Sequence, residues 1–374
     1  MKRSWKVLAA SAIAAVAGIS ACSSDNVGDK AASAVAQDPA CSTRTDPRPK
    51  PPPTFIAEQP ARLIAIGDVH GDYQAAEQAL LLAGVIEVTD DVARWSGGCD
   101  VVVQTGDQLD RGPGEQKILD LFETLADEAW EAGGAFYSLL GNHETMNARM
   151  NFKDVRPEKA WADFQNVPYD EAELLDRLNY EDVRALRDYL NSKRPPYLPT
   201  DRGFDVQDQD LLRRVAAFAP GGTYANLLAE HNVSMVVGDT MFVHGGIHQN
   251  HVDDYGLEKI NREVQAYMRG DNANYPSYMG GSNGVVWSRE YSGGTREPID
   301  AQVCAHLEGV LAAVRAQQIV VGHTIQNGSS RGRPRGINSV CGGKAWRIDT
   351  GMASYTDGEV WVLEIVGDKI TGLN

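Results

Sequence analysis

Short runs that combine glycine with aspartate, asparagine or histidine recur along this chain, each where an apolar stretch ends. In chain order they are Gly67–Gly71 (GDVHG), Gly106–Gly112 (GDQLDRG), Gly141–Glu144 (GNHE), His244–Gly246 (HGG) and Gly322–Thr324 (GHT). Carboxylates and imidazoles bind borderline divalent metals such as Mn, Fe and Zn, and one carboxylate can bridge two ions. Glycine beside each ligand lets the backbone turn tightly without blocking the site. The pattern therefore indicates a site for a pair of divalent metals.

Each of these motifs alone has a simpler explanation. Asp68 and His70 fit a turn at a strand end with a core histidine, and His244 fits a buried, hydrogen-bonded histidine. Gly322–Thr324 fits a plain turn. Their order along the chain, and their common position after apolar runs, favour one shared site.

The segments between the motifs alternate between strand-like and helix-like apolar patterns. Helical spacing of apolar residues covers 76–83 and 118–129, and Gly238–Asp239 predicts a hairpin turn. Apolar runs typical of strands lie at 62–66, 101–103, 135–140, 233–237, 241–243, 319–321 and 360–365. Open α/β sheets bind ligands beyond the C-terminal ends of their strands. We therefore predict an α/β fold with a central mixed sheet, in one layer or two, flanked by helices.

A different pattern follows the third motif. Residues 145–230 contain helical and loop segments with several prolines, within a predicted catalytic domain at 55–374. This mostly helical insertion either caps the site or packs as scaffold beside the sheet, and the sequence does not choose between the two.

The first residues have the features of an export signal. A basic head precedes an apolar run, Val7–Ala17, that is too short to span a bilayer. Ile19–Cys22 then resembles the lipobox of bacterial lipoproteins, whose cysteine is acylated after cleavage. We predict that residues 1–21 form a lipoprotein signal peptide and that Cys22 is lipidated. The protein would be anchored to a bacterial membrane, facing the periplasm or the cell exterior. The alternative is an ordinary cleaved signal with a chance cysteine.

The segment after the signal predicts a tether, and the other cysteines suggest disulfides. Residues 22–54 are mostly Ala, Ser, Asp, Pro and Thr, a composition that predicts flexibility. Export leads to an oxidising compartment, where cysteines pair. Four cysteines allow three pairings, and four free thiols also stay open. Of the pairings we favour Cys304 with Cys341 and Cys41 with Cys99.

The overall charge argues against a nucleic-acid partner. The formal net charge is -16 and the pI is about 4.9, whereas polyanion binding needs clustered lysines and arginines. The sequence does not indicate an oligomeric state.

Taken in order, the motifs resemble those of the phosphoprotein phosphatase family of calcineurin-like metallophosphoesterases, over about residues 62–355. The long segment between GNHE and HGG, together with Ile348–Met352 (IDTGM), most resembles the bacterial Shewanella-like branch. The resemblance implies the calcineurin-like fold, with a dimetal site at the C-terminal ends of strands. It also implies two divalent ions per chain, with manganese expected and iron or zinc as alternatives. The substrate would be a phosphorylated protein (Ser/Thr or Tyr) or a small phosphomonoester.

The resemblance also assigns metal ligands. Asp68 and His70 would bind one ion, Asp107 would bridge the two, and three side chains would bind the other: Asn142, His244 and His323.

Further roles implied by the resemblance concern substrate and proton transfer. Arg111 and Arg289 would grip the phosphate, with Asn142 also in contact with substrate; a surface salt bridge is the alternative for Arg289. His143 would be the general acid that protonates the leaving oxygen, oriented by Asp110. The attacking group would be a hydroxide shared by the two metals, and planar arginines suit phosphate oxygens.

Two other functions share part of this pattern. A nucleotide or dinucleoside polyphosphate hydrolase would carry the same metal motifs, although an exported enzyme meets little cytosolic dinucleotide. A non-enzymatic lipoprotein could bind metal or phosphate. Against the second stand Asp110 and His143, which are not needed to hold metal and are typical of proton transfer.

Overall fold

The computed structural model describes residues 41–155, 163–170, 174, 209–293, 301–328, 334–356 and 358–374. The predicted signal peptide, Cys22 and residues 23–40 of the predicted tether lie outside the described residues. So do residues 156–162, 171–173 and 175–208 of the predicted insertion.

Two mixed sheets form the centre of the fold. The five-stranded sheet has the order β13 (Lys369–Leu373), β12 (Val362–Val366), β2 (Leu63–Ile66), β5 (Val101–Gln104) and β6 (Ala135–Ser138). The six-stranded sheet has the order β1 (Phe55–Ile56), β7 (Ser234–Val237), β8 (Thr240–Val243), β9 (Gln318–Val321), β11 (Ala345–Arg347) and β10 (Asn338–Val340). A hairpin of β3 (Ile86–Thr89) and β4 (Val92–Trp95) stands apart. The two-layer form of the predicted sheet is thus the one observed.

Helices cover the outer faces of the sheets. They are α1 (Tyr73–Ala83), α2 (Glu115–Glu131), α3 (Asn142–Ala148), α4 (Gln209–Phe218), α5 (Thr223–Leu228), α6 (Gln249–Asp254), α7 (Leu257–Arg269) and α8 (Ala301–Val314), with a 3-10 turn at Ser277–Met279. The ends of helix α1 are set by its capping residues. The Asp72 carboxylate accepts the Ala75 N–H at 3.0 Å at the N-terminus, and Gly84 ends the helix with a φ of 68°. Among the described residues, no helix has the length and apolar character needed to cross a membrane.

The central strands are apolar on both faces because both faces are covered. Leu63 and Ala65 of β2 pack with Phe242 and Val320 of the other sheet. The alternate residues of β2, such as Ile64, pack against α1 and α2. A strand buried on both sides loses the apolar–polar alternation of a half-exposed strand. This burial explains the unbroken apolar runs in the sequence.

The strand register brings the motifs to one edge. Strands β2, β5 and β6 are parallel, with Ile66 beside Gln104 and Gln104 beside Ser138. In the other sheet, β8 and β9 are parallel and end together at Val243 and Val321. Each motif follows one of these five ends. The predicted α/β fold and the predicted hairpin turn between β7 and β8 are confirmed.

Residues 41–54 lie against the folded body, although the composition predicts a tether up to residue 54. A disulfide joins Cys41 to Cys99, with their Cα atoms 5.6 Å apart. The Arg48 guanidinium pairs with Glu123 and Asp127 of α2. Covalent and ionic contacts hold this segment despite its few apolar side chains, which is why its composition was misleading. A second disulfide joins Cys304 to Cys341, with Cα atoms 5.2 Å apart.

Opening the Cys41–Cys99 bond should destabilise the fold. For Cys41→Ser we expect the free energy of unfolding to fall by about 2–5 kcal/mol, the usual effect of losing a native disulfide. Guanidinium denaturation of the variant and the unmodified protein measures this difference, with Ser42→Ala as the neighbouring control. With excess reductant present, the two curves should converge. Equal midpoints under oxidising conditions would show that the Cys41–Cys99 bond does not stabilise the fold.

Candidate active site

The loops at the strand ends surround a cavity of about 340 Å³. The cavity is lined by His70, Asp107, Arg111, Asn142, His143, Lys153, Asp154, Trp287, Arg289, His323, Ile325 and Asn327. Three further residues that the sequence singles out, Asp68, Asp110 and His244, are buried beside these groups without lining the cavity. The structure therefore brings together every residue that the resemblance assigns to metal, phosphate or proton transfer.

The Asp107 carboxylate lies at the centre of this arrangement. Its Oδ2 atom is 3.2 Å from His244 Nε2 and 3.7 Å from Nε2 of both His70 and His143. The side chain is almost completely buried, and its Oδ1 accepts the backbone N–H of His143 at 3.0 Å. One carboxylate thus faces three imidazoles from different loops.

On one side of Asp107 lie three side chains whose nitrogen or oxygen atoms could bind a metal: His244, Asn142 and His323. His244 Nε2 is 3.0 Å from Asn142 Oδ1 and 3.2 Å from His323 Nδ1. Its other ring nitrogen lies 3.0 Å from the Thr105 carbonyl oxygen, which fixes the ring and turns Nε2 toward Asp107. The Nε2 atom of His323 is buried and has no hydrogen-bond partner among the described residues.

On the other side of Asp107 lie the two residues of the first motif. His70 Nδ1 is 3.1 Å from the Leu109 carbonyl oxygen, and its Nε2 is 4.0 Å from Asp68 Oδ2. Asp68 also accepts the backbone N–H of His323 at 3.2 Å. This carboxylate therefore links the first motif to the last.

Several site residues have a positive φ angle, a backbone conformation that residues with a side chain rarely adopt. Positive φ angles of 43–68° occur at His70, Asp107, Asp110, Arg111 and His323. Such a conformation is uncommon for residues other than glycine, and it persists only where the surrounding contacts impose it. Contacts within the site therefore determine the conformation of these loops, which the backbone alone would not prefer.

Two glycines are required because the carboxylates of Asp107 and Asp68 approach the backbone closely. A Cβ atom on Gly141 would run into Oδ1 of Asp107, and one on Gly322 would run into Oδ1 of Asp68. Both contacts are with short, buried side chains that have little room to move. The glycines beside the carboxylates therefore have the role that the sequence suggests.

Glu144 holds two of the loops together, a role not assigned from the sequence. Its buried carboxylate accepts four backbone N–H groups: those of Asp107 at 2.9 Å, Gln108 at 2.9 Å, Leu109 at 3.1 Å and Gly141 at 2.7 Å. The only available signal was its place in the GNHE motif. It fixes the loop that carries Asp107 and Asp110.

The buried charges shift the pKa values of these groups in opposite directions. Burial lowers the pKa of His244, but the carboxylates of Asp107 and Asp68 raise it to about 9. Burial and the neighbouring His143 lower the pKa of His70 to about 3. Burial raises the pKa of Asp107, yet the charges of His244 and His143 bring it well below its ordinary value. The low pKa of Asp107 favours its ionised form, which a cation at this position would stabilise further.

The donors fit two divalent cations that share Asp107. Ligand atoms of His70, Asp107 and His143 lie within 4.8 Å of one another, and so do those of Asp107, His244 and His323. Imidazole and carboxylate donors suit Mn, Fe and Zn, and His244 Nε2 lies 3.0–3.2 Å from Asn142 Oδ1, His323 Nδ1 and Asp107 Oδ2, the spacing expected of atoms that bind one ion. The first group contains His143, which the resemblance leaves free of metal, and lacks Asp68.

His143 is held differently from the other imidazoles. Its Nδ1 atom is 2.5 Å from Asp110 Oδ2, so a carboxylate and not a backbone carbonyl fixes the ring. Burial lowers the pKa of His143, but the charges of Asp107 and Asp110 raise it above its ordinary value. The ring therefore retains a proton more readily than a free histidine, which suits a proton donor.

Two arginines that are far apart in the sequence, Arg111 and Arg289, reach the cavity. Arg111 places Nη1 2.9 Å from His70 Nε2 and Nη2 3.2 Å from His143 Nε2. Arg289 donates from Nη1 to the His323 carbonyl oxygen at 2.9 Å and to Thr324 Oγ1 at 2.8 Å. Both guanidinium groups line the cavity. Arg289 thus lies at the cavity, next to His323 of the last motif.

The comparison with known families agrees with this geometry. The model of the calcineurin-like phosphoesterase family matches residues 61–326, a range that includes all five motifs. The chain belongs to the calcineurin-like phosphoesterase family. Its members are hydrolases of phosphate esters that use divalent metals, and this chain is such an enzyme.

Individual relatives place the chain further within that family. It is 38% identical to Shewanella-like protein phosphatase 2 of Arabidopsis thaliana over 326 residues, which cover 83% of this chain and 77% of the relative. Shewanella-like protein phosphatase 1 of Plasmodium berghei is 25% identical over 79% of this chain and 68% of its own. The solved cold-active protein-tyrosine phosphatase of a psychrophilic Shewanella sp. has a TM-score of 0.59 at 20% identity, covering 86% of this chain and 82% of its own. The structural likeness confirms the calcineurin-like fold.

Removal of the Asp107 charge should affect both groups of donors. We expect Asp107→Asn to abolish phosphatase activity and to lower the metal content at both positions, because it removes the charge shared between them. Metal content per chain by elemental mass spectrometry is the measurement. Asp90→Asn, the same change at an exposed residue of the β3–β4 turn, is the control. Retention of two metals per chain in Asp107→Asn would reject the shared role.

Proposed function

We propose that the protein hydrolyses phosphate monoesters on phosphorylated protein side chains and that His143 is the general acid. The observation that carries the proposal is the Asp110–His143 pair at 2.5 Å, beside Asp107 and with two arginines lining the same cavity. A site that only stored metal or phosphate would have no use for a carboxylate-oriented imidazole of raised pKa.

The metal ligands proposed are those that the resemblance gives, and the structure supports them by proximity. Asp68 and His70 would hold one ion, Asp107 would be shared, and three donors would hold the other: Asn142, His244 and His323. When bound, two divalent ions supply Lewis acidity and activate a water as nucleophile. Manganese is the ion we expect, with iron and zinc as alternatives.

The chain's own residues supply the remaining chemistry. Arg111 and Arg289 would bind the non-bridging phosphate oxygens, because planar guanidinium groups match that geometry. Asn142 lines the same cavity and could contact the phosphate as well as metal. His143 would donate its proton to the leaving oxygen as the bond to phosphorus breaks, and Asp110 would hold the ring in place.

Phosphoproteins are proposed as substrates because two relatives that are similar over most of this chain are named protein phosphatases. A turnover panel tests this proposal: phosphoserine, phosphothreonine and phosphotyrosine peptides are compared with nucleotides and a dinucleoside polyphosphate, with each candidate metal added in turn. We expect at least one phosphopeptide to have the highest kcat/KM. Preference for a nucleotide would favour the other hydrolase and contradict the proposal.

The general-acid role predicts that the effect of His143→Asn depends on the leaving group. A serine alkoxide is far more basic than a tyrosine phenolate, whose reference pKa is about 10, so it needs the proton more. Loss of a general acid typically slows a reaction on the order of 10²- to 10⁴-fold. We expect kcat for an alkyl phosphate to fall near the upper end and kcat for an activated aryl phosphate to fall much less. Metal content should not change. Equal slowing of both substrates in single-turnover experiments, or loss of metal, would reject the role.

We further propose that the enzyme is exported and anchored to a bacterial membrane through lipid on Cys22. The support is the sequence of Ile19–Cys22 after a basic head and an apolar run. Stable anchoring depends on acyl chains buried in lipid. Cys22→Ser should therefore give a protein that leaves the membrane fraction and takes up no labelled fatty acid. If mutant and unmodified protein fractionate identically, the anchor lies elsewhere or does not exist.

A further inference from the structure

A fully buried arginine lies next to the His143–Asp110 pair without lining the cavity. Arg214 belongs to helix α4, inside the segment that the sequence leaves as either cap or scaffold. Its side chain has no exposed surface. Neither the motifs nor the resemblance gives it a role.

Arg214 has charged and polar partners in three other places: helix α2, helix α3 and the loop that carries Asp110. Its guanidinium binds both oxygens of Glu115, at 2.7 Å from Nη1 and 2.8 Å from Nη2. Nη2 is also 3.2 Å from Asp110 Oδ1, and Nε donates to Asn147 Oδ1 at 3.0 Å. One cation therefore joins helix α4, the start of helix α2 and the loop that carries Asp110.

Apolar surroundings make this arrangement costly to maintain. The rings of Phe152, Phe164 and Phe218 lie 5.7, 5.4 and 5.2 Å from the guanidinium carbon, so little water can reach it. A buried ion pair of this kind is weak evidence for stability, since apolar replacements of similar volume are often as stable. Fold stability alone therefore does not explain why a charge is placed here.

The position of Asp110 does explain it. Asp110 Oδ2 faces His143 Nδ1, while Oδ1 accepts from Arg214 and, at 3.0 Å, from Asn147 Nδ2. Asn147 Nδ2 is also 2.9 Å from the His143 carbonyl oxygen, and the Asp110 backbone N–H donates to Glu115 Oε1 at 2.5 Å. With partners on both oxygens and on its backbone, the Asp110 carboxylate cannot turn away from the imidazole.

We infer that Arg214 is a positioning residue for the proton donor: it fixes Asp110, and through Asp110 it holds the His143 ring toward the leaving oxygen. The inference rests on the proposed function, because it requires His143 to be the general acid. Through Arg214, helix α4 of the insertion would support the active site from within the protein interior. Arg214 itself does not touch the substrate.

The test compares the single-turnover rate constants for an alkyl and an aryl phosphate, using the metal-loaded protein. Arg214→Met should slow the alkyl phosphate about 10²-fold, the loss that a misplacement of about 1 Å can cause. The aryl phosphate should slow only a few-fold, and metal content should equal that of the unmodified protein. Arg213→Met is the matched control, because Arg213 is the next residue, is partly exposed and pairs with Asp210 at 3.9 Å. It should leave both rates unchanged.

A double-mutant cycle separates positioning from general damage to the fold. In a His143→Asn background the proton donor is absent, so adding Arg214→Met should change kcat less than about two-fold. A further large loss in that background, or equal slowing of both substrates by Arg214→Met alone, overturns the inference. If His143→Asn itself shows no dependence on the leaving group, the proposed proton donor is wrong, and the inference fails with it.

A second variant guards against misfolding, because Arg214→Met alone leaves Glu115 and Asp110 buried without their cation. Arg214→Met combined with Glu115→Gln removes the ion pair as a unit and keeps an oxygen for the Asp110 N–H. This pair should show the same leaving-group dependence. Arg214→Lys keeps the charge but not the planar fork, so its alkyl rate should fall between those of the unmodified protein and Arg214→Met. Rates equal to the unmodified protein in the paired variant would also overturn the inference.

Discussion

The buried carboxylate of Asp107 determines which charged and polar groups can surround it in the site. An ionised group in a protein interior is strongly unfavourable unless cations or hydrogen-bond donors surround it. Here its Oδ2 faces His244 at 3.2 Å and His70 and His143 at 3.7 Å. The same negative charge raises the pKa of His244 and His143. It also makes the site attractive to divalent metals. The proposed metal binding and the proposed proton donation thus depend on one charge.

The sheets supply the loops, and buried side chains beneath the cavity give those loops their shape. Parallel strands in each sheet end at one edge, so residues far apart in sequence meet there. Glu144 then ties the Asp107 loop to helix α3 through backbone N–H groups. Arg214 ties the Asp110 loop to helix α4. Positive φ angles in these loops are maintained by such contacts and not by local preference.

The parts that could be predicted from the sequence are those with a local signal. The central strands are apolar on both faces, so they appear as short unbroken runs, and each motif follows such a run. The composition of segment 41–54 predicts flexibility, but contacts with Cys99 and helix α2, far along the chain, hold the segment in place. Composition carries no information about such distant contacts. Arg214 lies 104 residues from Asp110 and belongs to no motif. Contacts of this kind become visible only when the chain is folded.

Native mass spectrometry of the metal-free protein, titrated with Mn²⁺, would show whether two divalent ions share Asp107. Because the two donor groups have Asp107 in common, we expect the protein to end with two ions per chain. The phosphatase rate should follow the two-ion species and not the one-ion species. Saturation at a single ion per chain, with full activity, would show that Asp107 is not shared between two ions.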